Sequence, residues 1–163
     1  MEYKEEIFVS QEELFSVVKE LLREGQRARF TVSGNSMWPW LIHQRDNVVL
    51  ESADRSKLKI GDIILFQTEL GNYVLHRIIG KRPGGFITAG DGNLHKDGFV
   101  PREKVVARVS LIYRKNLIIS CGSWRWKIIS WIWMVLFPVR RYLQKGIFWI
   151  KKADKKKEIS RKS

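Results

Sequence analysis

From Arg27 to Tyr113 the chain is a succession of short β-rich runs separated by turn residues, a pattern that few architectures accommodate. Residues 27–33 alternate around Ala28, Phe30 and Val32, and residues 47–51, 62–67 and 105–113 are further β-rich runs. Residues 73–80 and 86–89 flank Pro83-Gly84-Gly85, which reads as the turn of a hairpin. Several short strands with close turns and one early helix predict a mostly β domain of the α+β class. At 163 residues there is material for one domain with a core, and too little for two.

The early helix is announced by Ser10-Gln11-Glu12-Glu13, a capping box with Ser10 at the N-cap and Glu13 reaching back. Leu14, Val17, Val18, Leu21 and Leu22 follow as one apolar stripe, so the spacing predicts a helix over 11–24 that stops near Gly25. The first residues are acidic (Glu2, Glu5, Glu6) and show no basic segment leading into an apolar run, as a secretory signal would.

Charge divides the chain. The net charge is +13, yet from Arg114 onward there are fourteen lysines and arginines against only Asp154 and Glu158. The front is a near-neutral globular domain and the back a basic appendage, which argues against a nucleic-acid interface spread over the fold. Five of the seven tryptophans (Trp124, Trp126, Trp131, Trp133, Trp149) fall in that appendage, as does an apolar run at 128–139. A membrane-spanning helix needs roughly 17–25 apolar residues, so this run is short. Tryptophans flanked by lysine and arginine suit a helix at the lipid headgroup level. A helix packed on the sheet is the other reading. The basic residues 151–163 read as a solvated tail attracted to anionic lipid. One cysteine, Cys121, excludes an internal disulfide and reads as a small buried thiol. Three scattered histidines offer no metal-ligand spacing, and no cofactor is expected.

Three separated pieces carry chemistry. Val32-Ser33-Gly34-Asn35-Ser36-Met37-Trp38-Pro39 places Ser36 in a turn after a strand, where its hydroxyl is exposed and its N–H is free to meet an oxyanion. His76 lies within a strand, in Tyr73-Val74-Leu75-His76-Arg77-Ile78-Ile79-Gly80. A polar loop holds Asp91 and Asp97, in Gly90-Asp91-Gly92-Asn93-Leu94-His95-Lys96-Asp97. Taken singly, a turn serine, a strand histidine and a loop aspartate are each ordinary.

Together, and in this order, they resemble the signal-peptidase superfamily of serine proteases, which also contains the self-cleaving LexA-like repressors. Gly34-Asn35-Ser36-Met37-Trp38-Pro39 resembles its Gly-x-Ser-Met-x-Pro box, and Gly61-Asp62-Ile63-Ile64 its Gly-Asp strand. His76-Arg77-Ile78-Ile79-Gly80 resembles the segment with the general base, and Gly90-Asp91-Gly92-Asn93 the Gly-Asp-Asn box. Bacterial members and the repressors carry lysine at the base position; histidine there resembles the archaeal and endoplasmic-reticulum enzymes. The resemblance implies Ser36 as nucleophile, His76 as base and Asp97, six residues after Asp91, as the third member, with Asp91 supporting. Many signal peptidases have Ser-Gly-Ser at the nucleophile, whereas Gly34 stands two before Ser36, leaving Ser33 or Asn35 as oxyanion partners. His43 and His95 are the rival bases.

The resemblance further implies a compact signal-peptidase-like β domain over 1–113, with the helix at 11–24 and the catalytic core at 27–113. A membrane-interacting segment at 114–150 and a disordered tail at 151–163 follow. The implied activity is acyl-enzyme cleavage of leader or signal segments from exported or modified peptide precursors at a membrane, on a side left open. The substrate lies extended along a strand edge, and cleavage falls as pH drops through the ordinary histidine range. A membrane-bound peptide-binding module of the same fold without catalysis is the other reading of these boxes.

Overall fold

The computed structural model describes residues 11–136, 139 and 142. The Ser10 cap and the tail at 151–163 lie outside the described residues. The first helix, α1, spans Gln11–Arg23. Its buried stripe is Phe15, Val18 and Leu22, while Leu14 and Val17 face solvent, so the helix is rotated by about one position from the expected stripe. The residues at 15, 18 and 22 follow the helical repeat, and Phe15 stacks against Tyr73 and Phe30 of the sheet. The helix stops where expected. Gly25 takes a φ of +75°, Gly25 N–H donates to Leu22 O at 3.2 Å and Gln26 N–H to Leu21 O at 2.9 Å, a Schellman closure.

Eight strands follow: β1 Ala28–Thr31, β2 Asp46–Ser52, β3 Ile63–Gln67, β4 Tyr73–Arg82, β5 Gly85–Ala89, β6 Gly98–Pro101, β7 Val105–Arg114 and β8 Leu117–Ser120. All pairings are antiparallel, in the order β1-β2-β7-β3-β4-β5-β6, with β8 on β7. The protein is therefore mostly β, with two helices, as the turn-separated runs predicted. The hairpin β4–β5 turns at Pro83-Gly84, where proline presets φ and Gly84 takes +79°. Strands β6 and β8 were not anticipated. Both are four residues long, and β8 pairs with the far half of β7, so the sheet continues past Tyr113.

Each sheet face buries its own core. Phe15, Val32, Met37, Leu50, Leu65, Val109 and Trp126 belong to one cluster; Leu58, Ile64, Phe66, Ile78, Phe86 and Val100 belong to the other. Strand β3 feeds both, with Ile63 and Leu65 on one side and Ile64 and Phe66 on the other. That is why its run is continuously apolar. Helix α2, Trp124–Val135, begins at an N-cap, Ser123, whose hydroxyl accepts from Trp126 N–H. Trp126, Ser130 and Trp133 form its buried stripe, and both tryptophan rings meet Trp40 edge-on. One face of the tryptophan segment thus packs on the domain, and the other is exposed.

Candidate active site

The site is built on an asymmetry of β4. Its residues 73–77 pair with β3, but only Arg77–Arg82 pair with β5, so Tyr73–His76 have no strand on that side. The loop after β1 comes to this gap. Phe30, Val32, Ser33, Gly34, Ser36 and Met37 face Tyr73, Val74 and Leu75 across a cleft of about 130 Å³.

Strand alternation sends His76 and Arg77 to opposite faces of β4. His76 is 5% exposed and its ring lies edge-on to Phe66. Its Nδ1 is 2.6 Å from Asp97 Oδ2, and Thr88 Oγ1 donates to the same oxygen at 2.8 Å. With the Asp97 carboxylate as acceptor, Nδ1 is the donor, and a neutral imidazole held in this way keeps its lone pair on Nε2. Nε2 is buried and makes no hydrogen bond among the described residues. The Asp97 side chain is 20% exposed.

Arg77 and Asp91, each 1% exposed, form the opposite half. Arg77 Nη2 and Nε donate to Asp91 at 2.7 and 2.9 Å. Nη1 donates to Gly61 O at 2.9 Å and to Ser130 Oγ of α2 at 2.8 Å. The guanidinium also lies over the Trp126 ring, 5.6 Å from its centroid. A charge this deep is tolerable only because a carboxylate and oriented acceptors replace its water.

Asp91 sits in the turn that holds the serine loop. Gly92 N–H donates to Ser36 O at 2.7 Å. A Cβ on Gly90 would stand 2.5 Å from Ser36 O, and one on Gly92 2.8 Å from Asn35 O. The glycines are thus required by close backbone approach, a reason the Gly-Asp-Gly string did not by itself reveal. On its other side the serine loop is fixed by His43, whose Nδ1 accepts from Gly34 N–H at 3.0 Å, with Gly34 at φ +87°. Asp46, fully buried, closes its base by accepting from Ile42 N–H, Arg45 and Arg114. Burial alone would raise the Asp46 pKa, but these three donors outweigh it and hold the carboxyl below its ordinary value. A cis peptide joins Trp38 to Pro39.

Of the residues expected at the site, Asp97 meets His76, and Asp91 meets Arg77. The loop of Ser36 meets the loop of Asp91. Ser36 Oγ is half-buried and is not hydrogen-bonded to His76 Nε2. The hydrogen bonds within the loop use the N–H groups of Gly34, Trp38, Trp40 and Leu41, and not that of Ser36. Ser33 and Asn35 are exposed, and Ser33 lines the cleft. His43 is occupied as a loop acceptor and His95 is exposed on the surface. Among the described residues no group of histidine, cysteine and acid side chains is arranged to hold a metal. Burial pushes the Cys121 thiol up to about 12, so it is not a thiolate at neutral pH.

Thr88 and Ser130 were not singled out from the sequence, and Gly61 was named only as part of the Gly-Asp strand. Thr88 lies nine residues before Asp97, with no local pattern linking them. Ser130 is the one polar residue among the apolar residues 128–135 of α2, a signal in retrospect. No protein-family model matches the chain, and no curated protein matches it.

Proposed function

We propose that this chain is a serine endopeptidase of the signal-peptidase kind, with Ser36 as nucleophile, His76 as general base and Asp97 as the residue that orients it. The 2.6 Å contact of Nδ1 with Asp97, which leaves the buried Nε2 without a hydrogen bond among the described residues, carries this reading. In the free enzyme a loose nucleophile–base distance is common, and substrate tightens it.

Ser36 Oγ attacks a peptide carbonyl and His76 Nε2 accepts its proton. The tetrahedral oxygen is met by the Ser36 N–H, with Ser33 or Asn35 as the second donor. His76 then protonates the leaving amine, and an acyl-enzyme remains on Ser36. Asp97 and Thr88 hold the imidazole through this cycle. Water, deprotonated by His76, releases the acyl group.

The open edge of Tyr73–His76 opposite Phe30–Gly34 supports an extended peptide as substrate, paired to the backbone as an added strand. The cleft of about 130 Å³ supports small side chains next to the cut. Membrane association is supported by the outward face of α2, where Trp124, Ile128, Trp131, Ile132 and Val135 are exposed, together with the basic chain beyond it. Among the described residues no helix is long and apolar enough to cross a bilayer.

The alternative, a peptide-binding module without catalysis, draws on the missing Ser36–His76 hydrogen bond. A fluorophosphonate probe decides between them. Covalent labelling at Ser36, lost in Ser36→Ala and in His76→Ala, is the expected result. Absence of labelling in the folded protein sinks the enzyme reading and leaves the module.

A further inference from the structure

Two clefts adjoin beside α2, and their linings are opposite in character. One, of about 610 Å³, lies between α2 and the turn before β3; Ile60, Trp126, Ile128, Trp131 and Met134 give it an apolar wall. Its size falls within the roughly 300–1,000 Å³ of small-molecule sites. The other, of about 300 Å³, is polar and carries Arg27, Lys57, Lys59, Arg108 and Lys127 against Glu51 and Asp62. Glu51 is committed to Arg108 and Arg27, at 2.5 and 3.6 Å, and Asp62 accepts from Lys59 N–H at 2.8 Å. Lys59 and Lys127 line both clefts, and neither ammonium is in a salt bridge among the described residues.

A pocket with an apolar body and two uncommitted cations at its divide is complementary to an amphiphile with an anionic head. The apolar cleft opens along the same helix whose outer face presents Trp131 and Ile128 to the exterior. An acyl chain against this apolar wall would place its phosphate near Lys59 and Lys127, which line both clefts.

We propose that this paired cleft is a binding site for one anionic phospholipid of the bilayer, with an acyl chain against Ile60, Trp126 and Met134 and the phosphate between Lys59 and Lys127. The site rests on the membrane-surface reading and not on the peptidase chemistry. It also adjoins the Arg77–Asp91 half of the site, because Ser130 lines the apolar cleft and accepts from Arg77 at 2.8 Å.

The test uses the full chain carrying Ser36→Ala, so that catalysis has no part in the readout. It is incubated with vesicles of phosphatidylcholine containing a minority of phosphatidylglycerol. A trace of phosphatidylglycerol with a diazirine in its acyl chain is photoactivated, and adducts are mapped by mass spectrometry. Adducts at Ile60 and Met134 are expected. Lys59→Gln with Lys127→Gln is expected to lower their yield about tenfold or more, given ~1 kcal/mol per basic residue near an anionic surface. Lys81→Gln with Lys115→Gln, an equal charge change at exposed positions elsewhere, is expected to leave the yield nearly unchanged. Vesicle binding with adducts confined to Trp124, Ile132 and Val135 overturns the site while sparing the membrane reading. An equal loss in both double variants, or an equal yield from a phosphatidylcholine probe, also overturns it. Failure of the wild-type chain to sediment with vesicles overturns site and membrane reading together.

Discussion

Replacing Arg77 by Met is the sharpest probe of how the site is held. Methionine matches the reach of the arginine stem but supplies no donors. The substitution strips the Asp91 carboxylate of its guanidinium where Asp91 is 1% exposed, and it removes the donor from Gly61 O and from Ser130 Oγ. Breaking one side of a buried ion pair costs about 3–5 kcal/mol, since the remaining charge stays desolvated. Total stabilities of domains this size run at about 5–15 kcal/mol, so the variant folds with little margin. With a urea dependence of about 2 kcal/mol per molar, the midpoint of unfolding falls by about 2 M. The control is the double variant Arg77→Met with Asp91→Leu. It removes both charges and is expected to recover at least half of the loss, because the cost lies in the uncompensated charge rather than in the missing attraction. Circular dichroism in urea at neutral pH measures both. A loss below about 1 kcal/mol in the single variant, with no recovery in the double, refutes the reasoning, since the pair then behaves as a solvated one.

Two further expectations concern the carboxylates on either side of the serine loop. Asp97→Asn is expected to slow fluorophosphonate labelling of Ser36 at least about tenfold through loss of the charge-assisted bond. The loss reaches about 10⁴-fold if the amide NH₂ turns to Nδ1 and reverses the tautomer; a rate within twofold of wild type removes Asp97 from the mechanism. Asp46 has a lowered pKa in the folded state, so it adds stability above the ordinary carboxylate value and loses it as pH falls through its folded value. Asp46→Asn is therefore expected to be less stable than wild type at pH 7, with the gap narrowing below about pH 4. A gap that stays constant in urea melts across that range contradicts the assignment of Asp46 as an ionised anchor.

Much of this molecule was open to reading as a string. Period-two alternation and the turn residues set the strand count nearly right, because a strand with one solvated face must alternate and a tight turn must have its glycine or proline. The Gly25 stop was legible for the same local reason. The short strands β6 and β8 escaped, since four residues carry too little pattern and are fixed by the neighbour that pairs with them. The stripe on α1 was displaced by a position because both Leu14 and Phe15 fit a helical repeat, and only the ring contacts with Phe30 and Tyr73 select Phe15.

The sequence by itself determined the class of fold, the positions of Ser36, His76, Asp91 and Asp97 in separate pieces, and the basic, tryptophan-rich end. The fold class and the basic end are properties of composition and near-neighbour spacing, whereas the four site positions came from the resemblance of their boxes to a known family. The resemblance had already paired Asp97 with His76; the tertiary structure alone gave Asp91 its partner, Arg77, and the physical reason for the division. Alternation along β4 divides His76 from Arg77, and antiparallel pairing then carries Asp97 to one and Asp91 to the other across 21 and 14 residues. It also decided that α2 is tied to the site, through a hydrogen bond from Arg77 to Ser130 that spans 53 residues. Contacts at that range depend on the whole sheet closing first, and no local window of the chain records them.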